Sequence, residues 1–448
     1  MGKATSSTDE ALAARYRRSL ELRERLHDVV PGGAHTYAKG DDQFPETAPS
    51  LIERGEGCRV WDVDGNEFIE WGMGLRAVTL GHGFPEVVEA AYEQMKRGLN
   101  FTRPSPLELE YAEAFLAHVP GADMVKFTKD GSTADTGVLK LARAVTGRDR
   151  VAICREHPFY SYDDWAIVAT GMTAGIPAGV EELTLTFGYN DLESVLALFE
   201  AYPGEIACVM LEAERTSPPE NGFLEGLREL CDRHGALLVF DEMITGFRWH
   251  LGGAQAFHGV TPDLSSWGKG IANGFPLSLV AGKREHMERG GLRTEEERVF
   301  FLSTTHGAET ASLAAALATL RIYEERDVID RLWRQGERLK AGFDEVVRTA
   351  GVEEFVTLSG RPPALLYGTR DQDGQPSQPF RTLFLQETIA RGIIAPNLII
   401  SFSHDDDAVD RTIEAIAGAC EVYARALEDG PERYLAGRPV KPVYRRFN

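Results

Sequence analysis

The 448-residue chain reads as an α/β protein built around a mainly parallel sheet. Two observations predict this. Apolar runs of strand length recur at "VAIC" (151–154), "ACVMLE" (207–212), "GALLVFDE" (235–242) and "LSLVAG" (277–282). Amphipathic helical patterns alternate with them, which implies βα units. A third observation concerns "ALLVF", which is apolar at every position, as expected of a strand covered by helices on both faces.

The elements follow in chain order. The opening "MGKATSSTDEALAARYRRSLELRERL" is charged and helical in pattern, without an apolar core of signal-peptide length. "CRVWDVDGNEFIEW" reads as two strands around an Asp64-Gly65 turn. Its Asp62, Asp64 and Asn66 resemble the start of a calcium loop. However, Glu67 stands where that loop needs glycine, and Met73 where it needs the bidentate glutamate. From residue 85 the pattern turns helical in "PEVVEAAYEQMKRG". The clearest βα unit is "FLEGLRELCDRHGALLVFDE". There Phe223, Leu224, Leu227, Leu230 and Cys231 share a helical face, and Gly235 ends the helix. Past residue 312 the chain is helical, then strand-rich around "PPALLYG". It loops through "DQDGQPSQP" and closes with a helix over about 406–428. We divide it into 1–84 and 326–448, the two parts of a small domain, and 85–325, a large domain.

Composition narrows the function. A formal net charge of −21 argues against nucleic acid or an anionic membrane as partner, since both need a basic face. No stretch approaches the roughly 20 apolar residues of a bilayer span. The five cysteines are scattered and form neither a CxxC nor a zinc spacing. This suggests reduced thiols, a cytoplasmic location and no metal site.

One lysine calls for an explanation. "LSSWGKGIANGFPLSLVAG" sets Lys269 between two glycines at the end of an apolar run. A Walker loop is excluded, because Asp263 stands where that pattern needs glycine and Gly270 where it needs Ser or Thr. The remaining reading is an amine that meets a carbonyl, with slim backbone around it. Asp241 ends the "ALLVF" strand, and Gly131-Ser132-Thr133 opens a helix with an apolar face of Ala134, Val138, Leu141, Ala142 and Val145. In open α/β sheets, ligands sit at such strand ends. Together these residues match pyridoxal 5′-phosphate (PLP). The lysine holds it as a Schiff base, the aspartate keeps its pyridine nitrogen protonated, and the helix start cups its phosphate. Met243, two residues past Asp241, points the same way and covers one ring face. The aromatic cluster "HPFYSYDDW" (157–165) is the candidate for the other.

"FLEGLRELCDRHGALLVFDEMITGFR", with "VPGGAHTYAKG", "VWDVDGNEFIEW", "LGHGFPEV" and "GKGIANGFPLS" in the same order, resembles the class III PLP-dependent aminotransferases. Within them it is most similar to the glutamate-1-semialdehyde 2,1-aminomutase-like branch. The resemblance spans about 20–425. It implies the aspartate-aminotransferase-type fold (fold type I), with a large parallel-sheet domain and a smaller α+β domain from both termini. It also implies a homodimer with active sites at the interface. Carried over residue by residue, it implies that Lys269 is the Schiff-base lysine and Asp241 the pyridine partner. Met243 lies against the ring, Gly131, Ser132 and Thr133 form the phosphate cup, and Phe159 takes the stacking position. Glu212 matches the glutamate of the family's Glu-Pro-Val element. Thr305, in "STTHGAE", reaches the phosphate of the partner subunit.

The departures concern substrate. "KDGSTA" replaces Asn-Ser-Gly-Ser-Glu-Ala at the cup, and "AET" replaces Gly-Asn-Pro at 308–310. "GMGLRAVTLGH" places Arg76 on the substrate side, where the aminomutase has a small residue. The implied activity is ping-pong amino transfer between a small-molecule amino donor and a small keto, aldehyde or sugar acceptor. The alternatives are an intramolecular aminomutase and a non-catalytic binding protein on the same fold.

Overall fold

The computed structural model describes residues 15–157 and 159–447. The first part of the N-terminal helical pattern, residues 1–14, lies outside them, as does Pro158 of the aromatic cluster. The chain forms two compact units.

The larger unit comprises Arg76–Thr79, Pro85–Asp330 and residues 446–447. Its centre is a seven-stranded sheet of β1 (Met124–Thr128), β2 (Arg150–Cys154), β3 (Thr184–Phe187), β4 (Ile206–Leu211), β5 (Leu237–Asp241), β6 (Leu264–Trp267) and β7 (Ser278–Gly282). Spatially they run β1-β7-β6-β5-β4-β2-β3. The β3–β2–β4–β5–β6 ladders are parallel, and β7 is antiparallel to both neighbours. Helix α1 (Gly131–Thr146) covers one face of the sheet.

Side-chain alternation along these strands decides what the site can contain. On the α1 face, Cys208 and Met210 of β4, Val239 of β5 and Leu264 of β6 pack with Ala134, Val138 and Ala142 of α1. On the other face, Val209 and Leu211, Leu238 and Phe240 pack with Phe223, Leu224, Leu227 and Cys231 of the helix Phe223–His234. Gly235, at φ 64°, ends that helix in the left-handed conformation that suits glycine. The parity carries forward, so Glu212, Asp241 and Ser266 come out on the α1 face. They sit at or beside the carboxyl ends of three adjacent parallel strands.

The smaller unit comprises residues 15–75, Leu80–Phe84 and Arg331–Arg445. The Arg59–Asp62 and Glu67–Glu70 strands form the expected hairpin. Its acids act locally rather than on a cation. Asp62 accepts the Asn66 N–H at 2.7 Å, and Asp64 accepts the Arg18 and Ser19 N–H groups at the start of helix Arg17–Val29, each at 2.8 Å. Ile393–Ile394 pairs in parallel with the second hairpin strand. The Trp71 indole stacks on His404 at 3.9 Å and donates to Thr412.

All five cysteines are buried and unpaired. Among the described residues, no helix is long and apolar enough to cross a membrane, and no cluster of His, Cys, Asp or Glu is suited to a metal.

Candidate active site

The site is built where β4, β5 and β6 end. Lys269 follows β6 after Gly268 and sits at φ 50°, a left-handed conformation that costs a non-glycine residue on the order of 1 kcal/mol. The glycine before it is needed for space, since a Cβ on Gly268 would lie 2.4 Å from Ser278 Oγ and 2.7 Å from Met243 Sδ. Burial depresses the Lys269 amine. Asp241 and Glu212 pull it back up, and Arg76 opposes them.

Asp241 is buried and accepts the Met243 N–H at 2.8 Å. Burial, then the charge of Glu212, pushes its carboxyl up to about 7, against the pull of Lys269. Glu212 is buried too; its Oε1 takes Arg215 Nη1 at 2.9 Å, while Oε2 has no hydrogen bond. Burial would raise its carboxyl, but Arg215, His157, Lys269 and Arg76 outweigh burial and hold it below the usual range. The Glu212 backbone N–H donates to His157 Nδ1 at 3.2 Å.

Arg76 reaches this group by an unusual route. Met73, Gly74, Leu75 and Arg76 have φ of 42°, 57°, 58° and 72°, a left-handed turn in which three residues carry a Cβ. Such strain persists only where the surroundings hold it. Arg248 helps by donating to the Arg76 carbonyl at 2.7 Å. Among the described residues, the Arg76 guanidinium has neither a hydrogen bond nor an ion pair of its own. Burial, then Arg215, lowers it to about 10, with Glu212 opposing. It remains a cation at neutral pH.

At the start of α1, Asp130 is the N-cap and takes both the N–H and the hydroxyl of Thr133, at 2.9 and 2.8 Å. This leaves the Gly131 and Ser132 N–H groups as the open donors of the first turn. Ser132 Oγ accepts the Tyr162 N–H at 3.2 Å. Met243 is buried against this turn, where a Cβ on Gly131 would meet its sulfur at 3.0 Å. Phe159 is 47% exposed, whereas Tyr160 beside it is buried in the α1-side core with Met243. Thr305 is exposed, and its carbonyl takes Asn100 Nδ2 at 3.0 Å. Two of the departures from the family pattern meet each other. Lys129 pairs with Glu309 at 3.3 Å, and Glu309 caps the helix Thr310–Glu325.

Lys269, Asp241, Met243, Glu212 and Gly131-Ser132-Thr133 thus come together, with Arg76 beside them; Phe159 and Thr305 lie on the surface of this chain. Sequence reasoning did not single out Arg215, Asp135 or, within the aromatic cluster at 157–165, His157. Asp135 was detectable, because it falls on the same helical face as Val138 and Ala142.

The residues fit PLP. Two buried acids, Glu212 on the α1 face of the sheet and Asp135 on α1 itself, carry oxygens that among the described residues have no hydrogen bond of good geometry, Glu212 Oε2 and both oxygens of Asp135. Open N–H groups stand at the helix start, and two glycines keep the backbone close.

The class-III aminotransferase family profile matches residues 37–357. The chain belongs to that family. This aminotransferase-family enzyme, of a PLP-dependent class, is 34% identical over 422 residues to the glutamate-1-semialdehyde 2,1-aminomutase of Methanothermobacter thermautotrophicus, covering 89% of this chain and 97% of that protein. It is similar in structure to the PLP internal aldimine form of the FumI protein of a Sphingopyxis species. The TM-score is 0.84 at 28% identity, covering 95% and 99% of the two chains. It is also similar to an omega-transaminase from Sphaerobacter thermophilus, with a TM-score of 0.83 at 29% identity, covering 91% and 98%.

Proposed function

We propose that this enzyme uses PLP to move an amino group from a small-molecule donor to a keto, aldehyde or sugar acceptor, by a ping-pong route through Lys269. The observation that carries the reading is the Lys269 amine beside Asp241 and Glu212, on the face where α1 offers open N–H groups. When bound, PLP supplies an electrophilic carbon for the amine and a protonated ring that takes up electron density. Asp241 holds the proton on the ring nitrogen by charge pairing. The Lys269 amine, depressed by burial, would move the proton from the amino-bearing carbon of the donor to the cofactor's carbon, and in the opposite sense in the second half. The Gly131 and Ser132 N–H groups receive the phosphate, and Met243 covers one ring face. Tyr160, buried beside Met243, is better placed than the exposed Phe159 to wall the pocket from within, so Phe159 serves the ring only if a second subunit covers it.

The unpaired Arg76 guanidinium, held near Lys269 by a strained turn, binds an acidic group on donor or acceptor.

A homodimer agrees with the surface. Val88, Tyr92, Met95 and Leu99 follow helical spacing along and just past the helix Pro85–Met95, are 44–50% exposed, and continue to the exposed Phe101. A second copy covers this stripe and brings its Thr305 to the phosphate.

An intramolecular aminomutase is the second reading, favoured by relatives of that name. Adding single amino donors to the holoenzyme separates the two. A transferase bleaches the bound cofactor's absorbance fully with its donor and regains it on adding a keto acid. A mutase responds poorly to any general donor.

A further inference from the structure

The second turn of α1 carries an acid on its buried face. Asp135 is fully buried, and among the described residues neither of its carboxylate oxygens has a hydrogen bond of good geometry, the Ser266 hydroxyl being a weak partner. Native cores hold few such groups, and each needs a reason.

Its place follows from packing. Gly131 of α1 lies against Met243. Four residues further along the helix, about 6 Å, is Asp135. Two residues back from Met243 along an extended segment, about 6.6 Å, is Asp241. Asp135 therefore stands over Asp241. Ser266, the register partner of Asp241 across β5–β6, shares that face, and its buried hydroxyl also has no hydrogen bond of good geometry. The charged and titratable groups acting on Asp135 and Asp241 are Glu212 from the end of β4, Lys269 after β6, the Tyr160 phenol, and Glu242 next to Asp241 in the chain. Burial, then the charge of Asp241, pushes Asp135 well above the carboxylate range; Ser266 and Lys269 favour its anion.

We propose that Asp135 and Asp241 form one acid pair that shares a single proton, held chiefly by Asp135, so that Asp241 remains the anion presented to the ring nitrogen. Two carboxyls packed together away from water do not both ionise near neutrality. With one proton between them, the pair carries one negative charge, which balances one pyridinium. Asp135 is a positioning residue: it acts through Asp241 and sets the pH range over which that anion is single.

The role at the ring nitrogen rests on the function proposed above, but the proton itself does not, so the test has two arms. In the cofactor-free protein, infrared difference spectra at neutral pH between wild type and Asp135→Asn should show one carboxylic-acid C=O band lost. Asp241→Asn should shift that band. No acid band lost in Asp135→Asn would overturn the proposal whatever the enzyme catalyses. In the holoenzyme, Asp135→Asn and Asp135→Leu should each move the pH midpoint of the bound cofactor's absorbance by roughly one unit or more, the scale of a coupled pair. An unmoved midpoint in both would also overturn it. Folding is the control that separates a structural role. Removing an unpartnered buried acid should leave the thermal midpoint of the cofactor-free protein unchanged or higher. A lower midpoint in both variants would assign Asp135 to the core alone.

Discussion

Replacing Arg76 with alanine tests whether its burial serves the substrate. The guanidinium is half-buried near Arg215, Glu212 and Arg248 and, among the described residues, has no hydrogen bond or ion pair of its own. An arginine in a structural pair would lose a partner on truncation and leave a buried charge exposed to no counterion. Arg76 has no hydrogen-bonded partner, and its charge is the last-ranked of the four that favour the Glu212 anion, with Arg215, His157 and Lys269 remaining, so Arg76→Ala should not lower the thermal midpoint of the substrate-free protein. What it removes is a charged hydrogen bond to the substrate, worth about 1.5–3 kcal/mol. At about 1.4 kcal/mol per tenfold, this raises KM for the acidic substrate roughly 10- to 150-fold. The change should fall on KM with kcat little altered, as for binding shared by ground and transition states. The backbone is not a complication, because alanine at φ 72° is strained like arginine. The assay is steady-state kinetics over a panel of donors and acceptors with and without a carboxylate or phosphate, with the cofactor's absorbance as a check on loading. Unchanged KM for every active substrate, together with a lower thermal midpoint, would refute the reasoning and make Arg76 a structural residue.

Three further outcomes follow from the same geometry. Asp241→Asn keeps the shape but loses the anion; it should bind PLP and lose about 10²-fold in kcat or more, corresponding to roughly 3 kcal/mol, and near-normal rates would place the pyridine partner elsewhere. Asp130→Ser removes a carboxylate that occupies both Thr133 donors beside the expected phosphate; it should tighten PLP binding several-fold, about 1 kcal/mol, in an equilibrium titration of cofactor-free protein, and weaker binding would contradict the cup. Asp135 and Asp241 have folded-state pKa values raised above the unfolded value of about 3.9. The folded cofactor-free protein therefore binds more protons, and this pair's contribution makes stability fall as pH rises from about 4 through the Asp241 value of about 7. Denaturant midpoints across that window should fall less steeply in Asp135→Asn, and equal slopes would remove the pair from the account.

Much of the sheet was legible in sequence because its central strands are buried on both faces. "ALLVF" and "ACVML" have no polar residue to confuse the period, and Gly235 marks the helix stop by its backbone requirement. β1 and β3 were not picked out. β1 carries Lys126 and is only partly buried, and β3 is a short edge strand, so neither gives a clean apolar run. In the site, Lys269 and Asp241 announced themselves by standing at strand ends. Met243 followed from alternation. His157 and Asp135 did not stand out, because their importance lies in contacts between distant segments, whereas Arg215, only three residues from its partner Glu212, stood in no motif that marked it. The Glu212 N–H bond to His157 spans 55 residues, and Asp135 meets Asp241 only once α1 lies on β5. The left-handed turn at 73–76 gave no sequence signal, since only one of its four residues is glycine.

The central claim is that Lys269 is the residue that joins the cofactor. The most direct measurement is borohydride reduction of the PLP-loaded enzyme, then proteolysis and mass spectrometry. The account predicts a single peptide carrying the reduced pyridoxyl group on Lys269, absent from Lys269→Ala. A pyridoxyl group on another lysine, or none in enzyme shown to be loaded, would contradict it.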